Sequence, residues 1–274
     1  MIAHNIKVLM PGFQSSIPLT YEQPSFTFKG DEAFLGTPYI NCVNNHYTKI
    51  MPGFEAAATA FGPELSPEAL ERGRRMLSGQ FWLDDLIDSH TVERATYEGI
   101  IRSLPTGDDL PAGLPPLKPG LTTSIGLLHN AMRPLPNEAR KQIVEDGIKI
   151  YDLTAEQMAA SSMRDYIRAR REEGHVAGRL TAHAFGTAEG AVPENFRRWL
   201  ERGVSYLSLA DHASDLSDDF ERGATQITPT KWHTARLAIA ASRDLLATLT
   251  TIKGMRATSR ATATLLCQQY LTDS

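Results

Sequence analysis

ENFRRWLERGVSYLSLADHASDLSDDFERG, residues 194–223, reads as one long helix, and that reading decides the fold class. Apolar side chains recur through it three or four positions apart, which gathers them on one stripe of a 3.6-residue repeat. The same reading extends outward on both sides. Downstream, TKWHTARLAIAASRDLLATLTTI (residues 230–252) is helical in pattern. Upstream, LTTSIGLLHNAM (121–132), NEARKQIVEDGIKIYDL (137–153), AEQMAASSMRDYIRARREE (155–173) and VAGRLTAHAF (176–185) read the same way. Gly174 is expected to end the third of these and to leave backbone carbonyls exposed at a break.

A further helix is announced by Ser66-Pro67-Glu68, with a capping Ser, Pro at the first helical position and an acid in the first turn. The pattern continues through ALERGRRMLSGQFWLDDLID, residues 69–88. The stretch SLPTGDDLPAGLPPLKPG (103–120) is too rich in Pro and Gly for regular structure and reads as a loop joining two helices of one bundle. Residues 1–64 are expected to form an irregular arm with short helices, part of the same domain as the helical region 65–274. No run alternates with the period of two that strands require, and no solenoid repeat or low-complexity tract occurs. The expected architecture is all-α, a single bundle.

The 274 residues, 42% hydrophobic and 22% charged, hold enough apolar material for a substantial core. A net charge of −4 argues against nucleic acid as the main partner, because phosphate binding needs a concentrated basic face. The only cysteines, Cys42 and Cys267, lie far apart without metal-ligand spacing, so a reducing cytoplasm is the expected compartment. MIAHNIKVLM lacks the long apolar region of a signal peptide, and no window approaches a membrane span.

Chemistry is concentrated in two acidic constellations. In FWLDDLIDSH (81–90), Asp84 and Asp88 are four apart and share a helix face, with Asp85 beside them and no Lys or Arg to neutralise them. In LADHASDLSDDFERG, Asp211, Asp215 and Asp219 are spaced four and four. An acidic row is ordinarily a solvated face. Two rows on helices with strong apolar faces instead suit hard divalent cations, which take oxygen ligands and bridge to phosphate oxygens. A third feature is YIRARREEG, where Arg170 could grip a diphosphate bidentately three residues before Glu173 and four before Gly174.

Taken together, these residues resemble the class I terpene synthases over about residues 66–223. FWLDDLID resembles the aspartate-rich DDxxD motif, in a form similar to that of bacterial ent-kaurene synthases. The resemblance makes Asp84, Asp85 and Asp88 ligands of Mg²⁺. The family's second metal motif is Asn/Asp-x-x-x-Ser/Thr/Gly-x-x-x-Glu/Asp. Asp211 and Asp219 match its ends, while Asp215 departs from its middle position. Arg170, Glu173 and Gly174 match the family's diphosphate sensor, linker and effector, with Glu for the usual Asp. The C-terminal Arg-Tyr pair of the family is absent, since Gln269 precedes Tyr270; Arg256 or Arg260 is the expected substitute, and Arg222 is a further diphosphate candidate.

The resemblance implies a class I terpenoid synthase bundle around a cavity, three Mg²⁺ ions (Mn²⁺ as a substitute), and ionisation of an allylic prenyl diphosphate. Phe81, Trp82, Tyr166, Trp199, Tyr206 and Trp232 are candidates to line the pocket, and His183 is a candidate terminal base. The kaurene-synthase form of the motif points to a C20 substrate, geranylgeranyl or copalyl-type, the latter supplied by a separate class II diterpene cyclase. C15 farnesyl diphosphate, a chain-elongating prenyltransferase and a non-catalytic helical scaffold are the competing expectations. A homodimer is compatible with all of them.

Overall fold

The structure is a computed structural model, which describes residues 92–106, 119–186 and 193–251 together with scattered positions between 66 and 87. Among the described residues all regular structure is helical, as the sequence predicts. Six helices are delimited: α1 (Arg94–Ser103), α2 (Pro119–Met132), α3 (Asn137–Met158), α4 (Met163–Phe185), α5 (Glu194–Glu221) and α6 (Lys231–Thr251). None of the described helices is long and apolar enough to cross a membrane.

α1 lies where the sequence reading assigns no element. Its buried Tyr97, Ile100 and Ile101, followed by buried Leu104, fall at the i, i+3, i+4, i+7 positions of one helical face. Residues 107–118 of the predicted loop lie outside the described residues, and α2 begins at Pro119, one residue before that loop was expected to close.

The segment predicted as one helix over 155–173 is two. α3 stops at Met158, and α4 restarts behind Ser162, whose hydroxyl accepts the Asp165 N–H at 3.2 Å and donates to the Asp165 carboxylate at 2.6 Å. This satisfies a donor that the first helical turn cannot pair internally. Nor does the helix end at Gly174. It runs on unbroken to Phe185, and the expected break with exposed carbonyls is absent there.

The physical use of Gly174 is close packing. A β-carbon there would sit 2.4 Å from the Ser205 Cα of α5, and one at Gly178 would sit 2.6 Å from Glu201 Cα. Bare glycine faces at 174 and 178 let the α4 and α5 backbones touch, and among the described residues this is the most extensive helix pairing. α6 packs on α5 and also touches α4, where Arg171 Nε donates to Asp244 Oδ2 at 2.9 Å; α3 packs on α4, and α1 on α3.

Two apolar clusters result. One joins α1, α2, α3 and the C-terminal part of α4, through Tyr97, Ile101, Leu128, Ile143 and Leu180. The other joins the start of α4 to α5 and α6, through Met163, Tyr166, Leu209, Leu216 and Leu237. The predicted capping role of Ser66 is present: its hydroxyl accepts the Ala69 N–H at 3.2 Å. Beyond that cap, Arg72 donates to Ala184 O and Gly186 O at the end of α4, and Gln80 donates to Thr181 Oγ1.

Candidate functional site

On α4, Arg170 and Glu173 stand one turn apart and are both buried, and Arg170 Nη1 donates to Glu173 Oε2 at 2.6 Å. A buried ion pair loses more hydration than its own attraction returns unless further hydrogen bonds complete it. α3 completes this one. Thr154 Oγ1 donates to Glu173 Oε1 at 2.9 Å and Gln157 Nε2 to Oε2 at 2.6 Å. Glu173 thus accepts three hydrogen bonds, and the Arg170 guanidinium is aimed by it.

Across the glycine seam, α5 brings Asp219 to the same region. Its carboxylate is buried, with Oδ2 accepting from His212 Nδ1 at 2.6 Å and Oδ1 from Arg222 Nη2 at 2.7 Å. The Tyr166 hydroxyl of α4 lies 3.1 Å from the same His212 nitrogen, and the two rings meet edge to face. Burial pushes the Asp219 carboxyl up. The hydrogen bond and charge of His212, the charge of Arg170 and the hydrogen bond of Arg222 together outweigh burial and leave it below the usual range. Arg170 and Asp219, read from two separate motifs, are thus within electrostatic reach of each other.

The predicted row of three aspartates is a slanting one. Residues four apart on an α-helix rotate by about 40° per step, so Asp211 and Asp219 differ by about 80°. Asp211 is accordingly exposed, Asp215 half-buried and Asp219 buried. Partial burial first, then the negative charges of Asp211 and Asp219, push the Asp215 carboxyl up. Repulsion of this kind is what a divalent cation relieves, and carboxylate oxygens are the donors such an ion prefers. Among the described residues no three His, Cys, Asp or Glu side chains are gathered as a ligand set. Asp84, Asp85 and Asp88 lie outside the described residues, as do Phe81, Trp82, Arg256 and Arg260.

Of the aromatic candidates, Tyr166 and Tyr206 are buried in the α4–α5–α6 cluster, Tyr166 one turn before Arg170. Trp199 is buried elsewhere. It stacks on Phe196, which meets Phe185 edge to face, twenty residues or about 30 Å of helix from Asp219. Trp232 is 67% exposed on α6, whose Leu237, Ala240 and Ala241 face the core instead. His183 also stands apart from Arg170. Its charged neighbours are Asp146, Arg179 and Arg197, and burial, the largest influence, pulls its pKa down.

Three residues of the site carry no prediction from the sequence: His212, Thr154 and Gln157. His212 had a legible signal, because seven residues are nearly two whole turns and set it directly in line with Asp219. Thr154 and Gln157 had none, since only the α3–α4 packing brings them to Glu173.

No protein-family model, no curated protein and no solved structure matches this chain.

Proposed function

We propose that the chain is a class I terpene synthase, which ionises an allylic prenyl diphosphate with divalent metal and guides the resulting carbocation to a cyclic or rearranged terpene. One observation carries the reading: the buried Arg170–Glu173 pair of α4 lies within electrostatic reach of Asp219, the last acid of the α5 row. A guanidinium poised beside metal-ligating carboxylates suits a leaving group that is itself an anion chelated by cations.

In this reading Asp211, Asp215 and Asp219 hold Mg²⁺ together with Asp84, Asp85 and Asp88. Bound Mg²⁺ supplies positive charge to the departing diphosphate oxygens. Arg170 meets the same charge from the protein side, and its orientation is fixed beforehand by Glu173, itself anchored by Thr154 and Gln157. Tyr166 and Tyr206 contribute apolar surface that excludes water, and aromatic faces of this kind stabilise a cation by about 0.5–2 kcal/mol each. The kaurene-synthase form of FWLDDLID favours a C20 substrate over C15 farnesyl diphosphate. Supply of a copalyl-type substrate by a class II cyclase and a cytoplasmic location follow from the same reading.

Incubation with geranyl, farnesyl, geranylgeranyl and copalyl diphosphates plus Mg²⁺, with mass spectrometry of the extracts, tests it. A hydrocarbon or terpene alcohol formed from one substrate alone is the expected result. Chain lengthening only when isopentenyl diphosphate is added identifies a prenyltransferase instead. No consumption of any diphosphate by folded protein refutes both and leaves the helical scaffold.

A further inference from the structure

The two faces of α6 are unlike. Inward, Leu237, Ala240 and Ala241 join the cluster shared with α4 and α5. Outward, Trp232, Ile239 and Leu246 are 67%, 49% and 57% exposed, three of the four large apolar side chains so placed among the described residues. They stand seven residues apart, so each is turned only about 20° from the last and the three make one stripe about 21 Å long. A lone exposed apolar side chain is ordinary, whereas an aligned row that includes an indole marks a contact surface.

The charge beside the stripe is of one sign. Lys231 and Arg243 are exposed and Arg236 is half-buried. The only acid of α6, Asp244, is turned inward and accepts from Arg171 at 2.9 Å and Ser205 at 2.8 Å. α4 extends the same basic edge. Arg171 Nη2 also reaches Ala240 O at 3.5 Å, which sets this side of α4 against α6. Arg236 and Arg243 lie one turn to either side of Ala240, and exposed Arg164 and Arg168 lie two turns and one turn before Arg171, so all four border the α4–α6 junction. The neighbouring acids are engaged, Asp165 by Ser162 and Arg168, and Glu172 by Lys149. The whole chain carries −4, and the exposed acids Asp211, Asp218 and Glu221 are on α5. Positive charge is thus gathered beside the apolar stripe, against the sign of the molecule.

Two other occupants fit this chemistry poorly. A second α6 would bring Arg236 and Arg243 against their own copies. A partner helix needs apolar side chains midway between the stripe positions, where α6 has Ala235 and Ser242. An anionic bilayer needs neither. It takes spaced apolar side chains into its outer layer, seats an indole at the level of the headgroups and attracts the basic side chains beside it.

We propose that the outer face of α6 docks the protein reversibly on a bilayer of anionic phospholipid, with Trp232, Ile239 and Leu246 inserted and Lys231, Arg236 and Arg243 at the headgroups. Docking does not depend on the reaction proposed above.

Co-sedimentation of the full chain with vesicles tests this, phosphatidylcholine alone against an equal mixture with phosphatidylserine. The chain is expected to sediment with the mixture only, and less of it as salt rises. Arg243→Gln should weaken binding about fivefold, the share of one basic side chain at an anionic surface, and Leu246→Ser about tenfold through lost apolar contact. Lys141→Gln, exposed on α3, should bind as the wild type. Tryptophan emission should shift to the blue on the mixed vesicles, and the shift should vanish in Trp232→Phe, which keeps Trp82 and Trp199. All four are surface changes expected to melt with the wild type.

A chain left in the supernatant by both vesicles overturns docking, as does equal binding to both. Wild-type binding by Arg243→Gln and Leu246→Ser places the contact elsewhere and overturns it, and so does a blue shift that persists without Trp232. Binding to poly-glutamate but to neither vesicle assigns the face to an acidic protein. A dimer in sedimentation equilibrium that Leu246→Ser dissociates assigns it to a second copy. Either result overturns the bilayer.

Discussion

Gly174 and Ser205 are in backbone contact: a β-carbon on Gly174 would lie 2.4 Å from Ser205 Cα and 2.9 Å from Ser205 N. The atoms in the way belong to the α5 main chain, which cannot swing aside as a side chain would. Gly174→Ala is therefore expected to force α4 and α5 apart and cost about 1–3 kcal/mol, the usual range for an overpacked core, despite the better helix propensity of Ala. Gly126→Ala is the control, since a β-carbon there meets nothing within 4 Å. It should be neutral or gain up to about 1 kcal/mol. Urea denaturation of the two variants checks this; equal midpoints would show that the seam is looser than its geometry.

The buried Arg170–Glu173 pair gives the second prediction. Arg170→Met leaves the Glu173 carboxylate buried with only the neutral donors Thr154 and Gln157. Breaking one side of such a pair costs about 3–5 kcal/mol. Denaturation midpoints should fall accordingly, so loss of turnover in this variant has to be measured below its own melting temperature. A variant as stable as the wild type would mean that the pair is not desolvated.

What the sequence made legible was periodicity, and what it hid depended on contacts between helices. The stripe through residues 194–223 predicts α5 almost to the residue. Tyr97, Ile100 and Ile101 announce α1 by the same rule. The α3–α4 junction was also present, as Ser162 three residues before Asp165, a capping pattern inside a run of otherwise helical character. Gly174 is different in kind. Sequence alone offers two uses for a glycine in a helix, a stop or a close approach, and only the position of Ser205 decides between them. For the candidate site, Arg170, Glu173 and Asp219 were legible because motif spacing marks them, whereas Thr154 and Gln157 arrive from α3 by packing alone. The first aspartate motif lies outside the described residues, so its relation to the α5 row rests on the proposal.

His183 predicts a pH dependence. Burial lowers its pKa, with Asp146 opposing and Arg179 and Arg197 reinforcing the shift. The unfolded chain therefore binds the proton more readily than the fold does. Stability is unaffected by this group above about pH 6.5, falls as pH drops from there to the folded pKa, and is level again below it. His175 shifts in the same direction, so the informative quantity is a difference between variants. His183→Gln cannot take up the proton and should lose less stability than the wild type between about pH 7.5 and 5.5. Equal losses in parallel urea titrations would place the acid sensitivity elsewhere.

Trp232 and Leu237 stand five residues apart on α6 and make opposite predictions. Leu237 is fully buried against the cluster that contains Tyr166, whereas Trp232 is 67% exposed. Leu237→Ala should cost about 2–5 kcal/mol, through lost burial and the cavity left behind. Trp232→Ala should stay within about 0.5 kcal/mol of wild type, as surface substitutions do. The same contrast bears on chemistry. An indole that lines a carbocation pocket changes the product mixture when truncated, because it shapes the cavity and offers its face to the cation. An indole on the outer side of α6 does neither, so Trp232→Ala should leave the product distribution unaltered, while Tyr166→Phe or Tyr166→Ala should shift it. Gas chromatography of the products from the three variants, each assayed below its melting temperature, separates the two positions. An altered mixture from Trp232→Ala alone would return that side chain to the pocket wall and remove Tyr166 from it.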